Sequence, residues 1–148
     1  MIFYMQEALK LAIKATEQGE VPIGAVIIDP SEKKIIAKGF NCCEVEANPL
    51  KHAEMIVINK ACKKRKTKSL KGCHIYVTLE PCAMCAAAIS YARLSRIYYG
   101  AADKKFGAIE NGARIFNSTS SLFKPEIYGG ILAEESKKLL KFFFRSKR

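Results

Sequence analysis

Two short motifs, His52-Ala53-Glu54 and Pro81-Cys82-Ala83-Met84-Cys85, constrain the fold of this chain more than anything else in it. One imidazole and two thiolates form a donor set suited to zinc. Donors for one ion have to meet, so the chain must bring these distant segments together. Three protein donors leave a fourth position for water, the arrangement of a catalytic zinc rather than a closed structural one. Glu54 does not stand at the i, i+4 spacing from His52 that sets two ligands side by side on a helix face. It reads instead as a proton carrier beside that water. The alternative is a structural site completed by a fourth ligand, Cys or His, which Cys42, Cys43, Cys62 or Cys73 could supply. That alternative leaves Glu54 and Pro81 without a role.

The chain around these motifs alternates between helical and extended patterns. Tyr4 to Gln18 carries apolar residues at helical spacing and stops at Gly19. Val21 to Ile28 and Lys34 to Asn41 read as two strands of a hairpin around the Asp29-Pro30-Ser31-Glu32 turn. A loop over Cys42 to Leu50 leads into a helix from Lys51 to Cys62, with His52 in its first turn. A basic loop follows, then a strand over His74 to Leu79 and a helix opened by Pro81, where proline is tolerated. Ile97 to Gly100 reads as a fourth strand, Ala101 to Leu122 as a long loop, Pro125 to Tyr128 as a short fifth strand and Ala133 to Phe144 as a closing helix. This alternation predicts an α/β fold, and the length of 148 residues fits a single domain over 1–148. Both motifs fall at helix N-termini, where free N–H groups and the helix dipole favour thiolates.

The formal net charge of +11 is large for this length and points to a polyanionic partner, most simply a nucleic acid. Lys60, Lys63, Lys64, Arg65, Lys66, Lys68 and Lys71 form one cluster, and Arg145, Lys147 and Arg148 end the chain. The Phe142-Phe143-Phe144 run beside that basic tail suits a single-stranded loop, whose bases stack on rings while cations hold phosphates. Core packing is expected to claim at least two of the three rings. No apolar run marks an export signal or a membrane span. The six cysteines are therefore expected to be reduced and the protein cytoplasmic.

The order His-x-Glu, then Pro-Cys-x-x-Cys, is the established pattern of zinc-dependent nucleobase deaminases, so this match is one of recognition. The likeness extends along nearly the whole chain. It is carried by Glu20-Val21-Pro22-Ile23-Gly24-Ala25-Val26, Asn41, His52-Ala53-Glu54, Val77 to Cys85, Gly100 to Lys104 with Gly107-Ala108, Gly129 to Glu134, and Phe143-Phe144-Arg145. In these segments the chain resembles the bacterial tRNA-specific adenosine deaminases, which convert the wobble adenosine of an anticodon to inosine. The resemblance implies a cytidine-deaminase-like three-layer α/β/α sandwich with a five-stranded mixed sheet. It implies one Zn2+ per subunit on His52, Cys82 and Cys85, with Glu54 catalytic, and a homodimer that binds the anticodon stem-loop of tRNA.

It further implies that Asn41 hydrogen-bonds the target base and that Val21 and Pro22 form an apolar wall beside it. Ala53 is placed among the substrate contacts, Asp103 next to the target nucleotide, and Phe144 and Arg145 against flanking nucleotides. The chain departs from the family at Asn48-Pro49-Leu50-Lys51, where Asp-Pro-Thr-Ala is usual, and in its Cys42-Cys43 pair. The nearest rival is the same chemistry on a free base, guanine or cytosine, which requires neither the charge nor the Phe-Arg tail. A non-catalytic RNA-binding module with a structural zinc is a third reading, and in it Glu54 is dispensable.

Overall fold

The inner strands have almost no exposed side. In β1 (Gly24–Asp29), β3 (His74–Leu79) and β4 (Arg96–Ala101) nearly every residue is buried, so the sheet is covered on both faces. In this computed structural model, which describes residues 1–147, the sheet has five strands in the order β2-β1-β3-β4-β5. Strand β2 (Lys34–Phe40) pairs antiparallel with β1 as the predicted hairpin, and β1 pairs antiparallel with β3. Strands β3 and β4 are parallel, as are β4 and the short β5 (Glu126–Tyr128). Parallel neighbours need a crossover, and α3 (Ala83–Ala92) supplies the one between β3 and β4.

Alternation along the strands sorts side chains into two cores. Ala25, Ile27, Ile75, Val77 and Ile97 face α3 and α2 (Ala53–Arg65), while Val26, Ile28, Tyr76 and Tyr98 face α1 (Ile2–Glu17). The closing helix α4 (Ala133–Ser146) lies beside α1 on the second face. The result is the expected three-layer α/β/α sandwich on a five-stranded mixed sheet. Gly19, at φ +75°, ends α1 in the left-handed turn that glycine adopts without penalty.

The boundaries differ from the sequence pattern in ways that bear on the site. Strand β1 begins at Gly24 and not at Val21, because Pro22 has no N–H for a ladder and the Ile23 N–H closes a tight turn on the Val21 carbonyl at 2.8 Å. Helix α2 begins at Ala53, so His52 caps it rather than sitting in its first turn. It also runs on through Lys63, Lys64 and Arg65, cations that suit the negative end of the helix dipole. Pro81 and Cys82 likewise precede α3.

The phenylalanine run needs a larger correction. Only Phe143 is buried, at 6% exposure, whereas Phe142 and Phe144 are 69% and 50% exposed. Consecutive residues on a helix step about 100° around its axis, so three adjacent rings cannot share the core face.

Candidate active site

The site is built where the C-terminal ends of β2 and β3 hand over to helices. His52 and Cys82 each occupy the capping position of their helix in extended backbone, at φ/ψ of −72/151° and −74/176°. Glu54 lies in the first turn of α2 and Cys85 in the first turn of α3. Two helix N-termini therefore converge on one point, and both favour negative charge there. His52 Nδ1 lies 3.7 Å from Cys82 Sγ and 3.5 Å from Cys85 Sγ. Zinc with ordinary bond lengths and tetrahedral angles would set nitrogen and sulfur about 3.6 Å apart. The donors present thus fit that ion in chemistry and in spacing. Among the described residues the cluster comprises His52, Cys82 and Cys85, and Cys42, Cys43, Cys62 and Cys73 do not join it. The closed structural alternative, with one of these cysteines as fourth ligand, falls on this geometry.

The electrostatics are those of a crowded buried site. The Cys85 thiol, by its hydrogen bond, and then His52 hold Cys82 down at about 4. Cys85 moves the opposite way, raised by Cys82, by burial and by Glu54. Glu54 is 4% exposed, and burial pushes its carboxyl up to about 7, a rise to which the Cys82 thiolate adds.

A second ring of residues fixes this centre. Asn41 is buried, and its Oδ1 accepts the Ala53 N–H at 2.9 Å. Asn41 thereby satisfies a donor at the start of α2, one residue from both His52 and Glu54. The Asn41 N–H in turn donates to the Ile23 carbonyl, which places the Val21-Pro22-Ile23 turn against the same corner. Pro22 is buried, Val21 half-buried and Ala53 fully buried.

Two buried carboxylates, which lie in the family-like segments but had no role from the sequence, hold the flanking loops. Glu20 accepts the Glu44 and Val45 N–H groups at 3.0 and 2.7 Å and pins the loop between β2 and α2. Glu80, 2% exposed, accepts N–H groups of Asp103, Ile109, Glu110 and Asn111 and the Asn111 side-chain amide at 2.7 Å. Burial alone would raise the Glu80 pKa, but the Asn111 amide and these backbone donors outweigh it and hold the group below the usual carboxylate range. The clamp is reinforced where the Ala108 N–H donates to the Pro81 carbonyl at 2.9 Å and Gly107 pairs with Cys82. A Cβ at Gly107 would meet the Asp103 carbonyl and come within 2.6 Å of Glu80 Cδ, so only glycine lets this loop close on the metal motif. The one signal in the sequence was an acidic residue directly ahead of Pro81-Cys82.

The remaining predicted site residues stand further out. Asp103 Oδ1 accepts the Lys105 and Phe106 N–H groups, both at 3.0 Å, so half of this carboxylate shapes its own turn. Phe144 and Arg145 lie on the exposed edge of α4, where with Leu140 and Lys141 they line a pocket of about 320 Å³. No hydrogen bond found among the described residues ties them to the metal cluster. In the basic cluster, Arg65 is committed to Asp29 at 2.9 Å and Glu32 at 3.3 Å, while Lys63, Lys64, Lys66, Lys68 and Lys71 are exposed. Arg148, the last cation of the basic tail, lies outside the described residues.

The geometry can be set beside known proteins. Residues 2–148 match the family model of the MafB19-like deaminases. A tRNA-specific adenosine deaminase of Rickettsia bellii is 54% identical over 144 residues, covering 97% of this chain and 99% of that protein. A structure from biochemical and structural studies of A-to-I editing by tRNA:A34 deaminases superposes with a TM-score of 0.91 at 43% identity, over 95% of this chain and 100% of that one. A guanine deaminase of Nitrosomonas europaea shares the fold, with a TM-score of 0.82 at 19% identity over 95% of this chain and 82% of that one. Fold likeness at that identity does not carry a substrate, whereas identity above one half along the whole length carries membership: this chain belongs to the tRNA-specific adenosine deaminase family.

Proposed function

We propose that this protein deaminates adenosine to inosine at the wobble position of a tRNA anticodon loop, with one zinc per subunit on His52, Cys82 and Cys85. The observation that carries the reading is the full-length identity to a tRNA-specific adenosine deaminase. Zinc bound there supplies the Lewis acidity that makes water a nucleophile near neutral pH.

Everything else falls to the chain. The Glu54 carboxylate takes a proton from the attacking water as its oxygen bonds to C6 of adenine. The same carboxyl gives that proton to the adjacent ring nitrogen. It then takes the remaining hydroxyl proton to the exocyclic amine, the C6–N bond breaks, ammonia leaves and a carbonyl remains. Asn41 has committed Oδ1 to the helix, so its Nδ2 amide is the half that donates to the base. Val21, Pro22 and Ala53 wall the base from water. Asp103 meets the sugar-phosphate strand beside the target, and Phe144 and Arg145 meet flanking nucleotides at the edge of α4.

An anticodon loop suits this site because its bases are already unpaired, which makes extrusion into a pocket cheap. The net charge of +11 supports a polyanionic substrate. The protein acts as a homodimer in the cytoplasm, and among the described residues no helix is long and apolar enough to cross a membrane.

The test is incubation with a tRNA transcript bearing adenosine at the wobble position, beside a transcript with guanosine there and free adenine, guanine, cytosine and cytidine. Inosine in the first transcript alone is the expected result. Ammonia released from a free base, with the tRNA untouched, would move the chemistry to nucleobase salvage.

A further inference from the structure

The loop that Glu80 clamps carries a large apolar ring in water. Phe106 is 65% exposed, and Lys105 Nζ lies 5.1 Å from its ring centroid. The exposure is imposed by the backbone. Asp103 Oδ1 fixes the Lys105 and Phe106 N–H groups, the Gly107 N–H donates to the Asp103 carbonyl at 2.9 Å, and Gly107 pairs with the metal-motif residue Cys82. The turn has no freedom to tuck the ring into the core. Adding one Cα–Cα step to one strand-pair spacing puts the Phe106 Cα within about 9 Å of the Cys82 Cα. The other exposed aromatic residues lie in helices or a strand: Phe3 on α1, Tyr91 at the far end of α3, Phe142 and Phe144 on α4, and Tyr128 on β5.

A rigidly held aromatic ring beside a cation, at the edge of a site for unpaired RNA, has the makeup of a base-stacking platform. We propose that Phe106 stacks on a nucleotide flanking the deaminated adenosine, with Lys105 against the adjoining phosphate. The proposal rests on the RNA-editing reading above and deepens it by naming a specificity residue. Stacking of a flanking base is made before and during the reaction alike, so it lowers KM without raising kcat.

The experiment is steady-state editing of an anticodon stem-loop by the zinc-loaded protein and its Phe106→Ala, Phe106→Leu and Phe106→Tyr variants. In parallel, 2-aminopurine placed at each nucleotide flanking the target reports stacking by quenching. Phe106→Ala is expected to raise KM about ten- to a hundredfold with kcat nearly unchanged. Phe106→Tyr is expected to restore KM, and Phe106→Leu is not. Quenching at one flanking position should appear with the wild type and Phe106→Tyr only. Lys105→Ala should flatten the slope of log affinity against log salt by about 0.7.

If the wild type edits and Phe106→Ala has the same KM, or quenching is the same in all variants, the platform is overturned while the editing reading stands. A Phe106→Ala protein that falls to a smaller oligomer on a sizing column also overturns it, because the ring would then belong to a subunit contact. A wild-type protein that leaves RNA unedited and deaminates a free base overturns both.

Discussion

Glu80→Gln tests how the site is held. Oε1 of Glu80 accepts two donors, the Asp103 N–H and the Asn111 side-chain amide, and Oε2 accepts three, the N–H groups of Ile109, Glu110 and Asn111. A glutamine keeps one acceptor oxygen and replaces the other with an NH2 group. Whichever way it turns, that NH2 faces at least two donors. Losing two charge-assisted hydrogen bonds costs about 3–6 kcal/mol, at about 1.5–3 kcal/mol each. The loop can detach without unfolding the sheet, so the loss should be local. Native-state hydrogen exchange is the assay. The Ile109, Glu110 and Asn111 amides should lose on the order of a hundredfold or more in protection, at about 1.4 kcal/mol per factor of ten, while Val26 to Ile28 in β1 keep theirs. Zinc affinity should fall about ten- to a hundredfold, because the loop pairs with Pro81 and Cys82. Unchanged protection at those three amides together with unchanged metal affinity would refute the clamp. A uniform loss over the whole sheet would show that Glu80 holds the fold and not the loop.

Other perturbations separate the roles of the remaining residues. Glu54→Ala should keep one zinc per chain by elemental analysis and lose about a hundred- to ten-thousandfold in turnover; near-normal turnover would end its assignment as proton carrier. Cys82→Ala or His52→Ala should lose the metal instead, seen in the same elemental analysis. Gly107→Ala adds a Cβ into the Asp103 carbonyl and the Glu80 carboxyl, and should reproduce the local exchange signature of Glu80→Gln with β1 unaffected. Arg93 caps α3 at φ +61°, where a side chain costs about 1–2 kcal/mol and glycine does not. Arg93→Gly gives back about 0.5–1 kcal/mol in unfolded-chain entropy, so a small net rise in melting temperature is expected; a fall would show that the side chain makes a contact worth more than the strain.

The centre of the site could be read from the sequence because its chemistry is local. His52 with Glu54, and Cys82 with Cys85, sit at fixed short spacings at the starts of helices, and the apolar runs of β1, β3 and β4 announce a sheet covered on both faces. What the sequence hid is long-range. Glu80 reaches donors more than twenty residues further along the chain, and Glu20 does the same for Glu44 and Val45. No periodicity marks a backbone N–H as the partner of a distant carboxylate. The Phe142-Phe143-Phe144 run misleads for another reason: composition suggests a core, but three consecutive rings cannot all share one helix face, and here only Phe143 faces inward. Asp103 was legible as a polar loop residue, but half of its carboxylate turned inward to build the turn that presents Phe106.

These observations divide the site into a part that cannot vary and a part that can. The donors His52, Cys82 and Cys85 stand at helix starts packed against the sheet, and the two loops flanking them are each tied down by a buried carboxylate bonded to backbone N–H groups. A buried charge is costly unless hydrogen-bonded, so each clamp demands one loop conformation. Because most of the partners are backbone groups, the clamps make few demands on loop side chains, chiefly the Asn111 amide and the absence of one at Gly107. The departure at Asn48-Pro49-Leu50-Lys51 shows the consequence. Asn48 Oδ1 still accepts the Leu50 N–H at 2.9 Å, and the Lys51 carbonyl still accepts the Cys42 N–H at 3.0 Å, so the loop closes whatever side chains Leu50 and Lys51 carry. Exposed side chains on these loops, Phe106 among them, are therefore free to change without moving His52, Cys82 or Cys85.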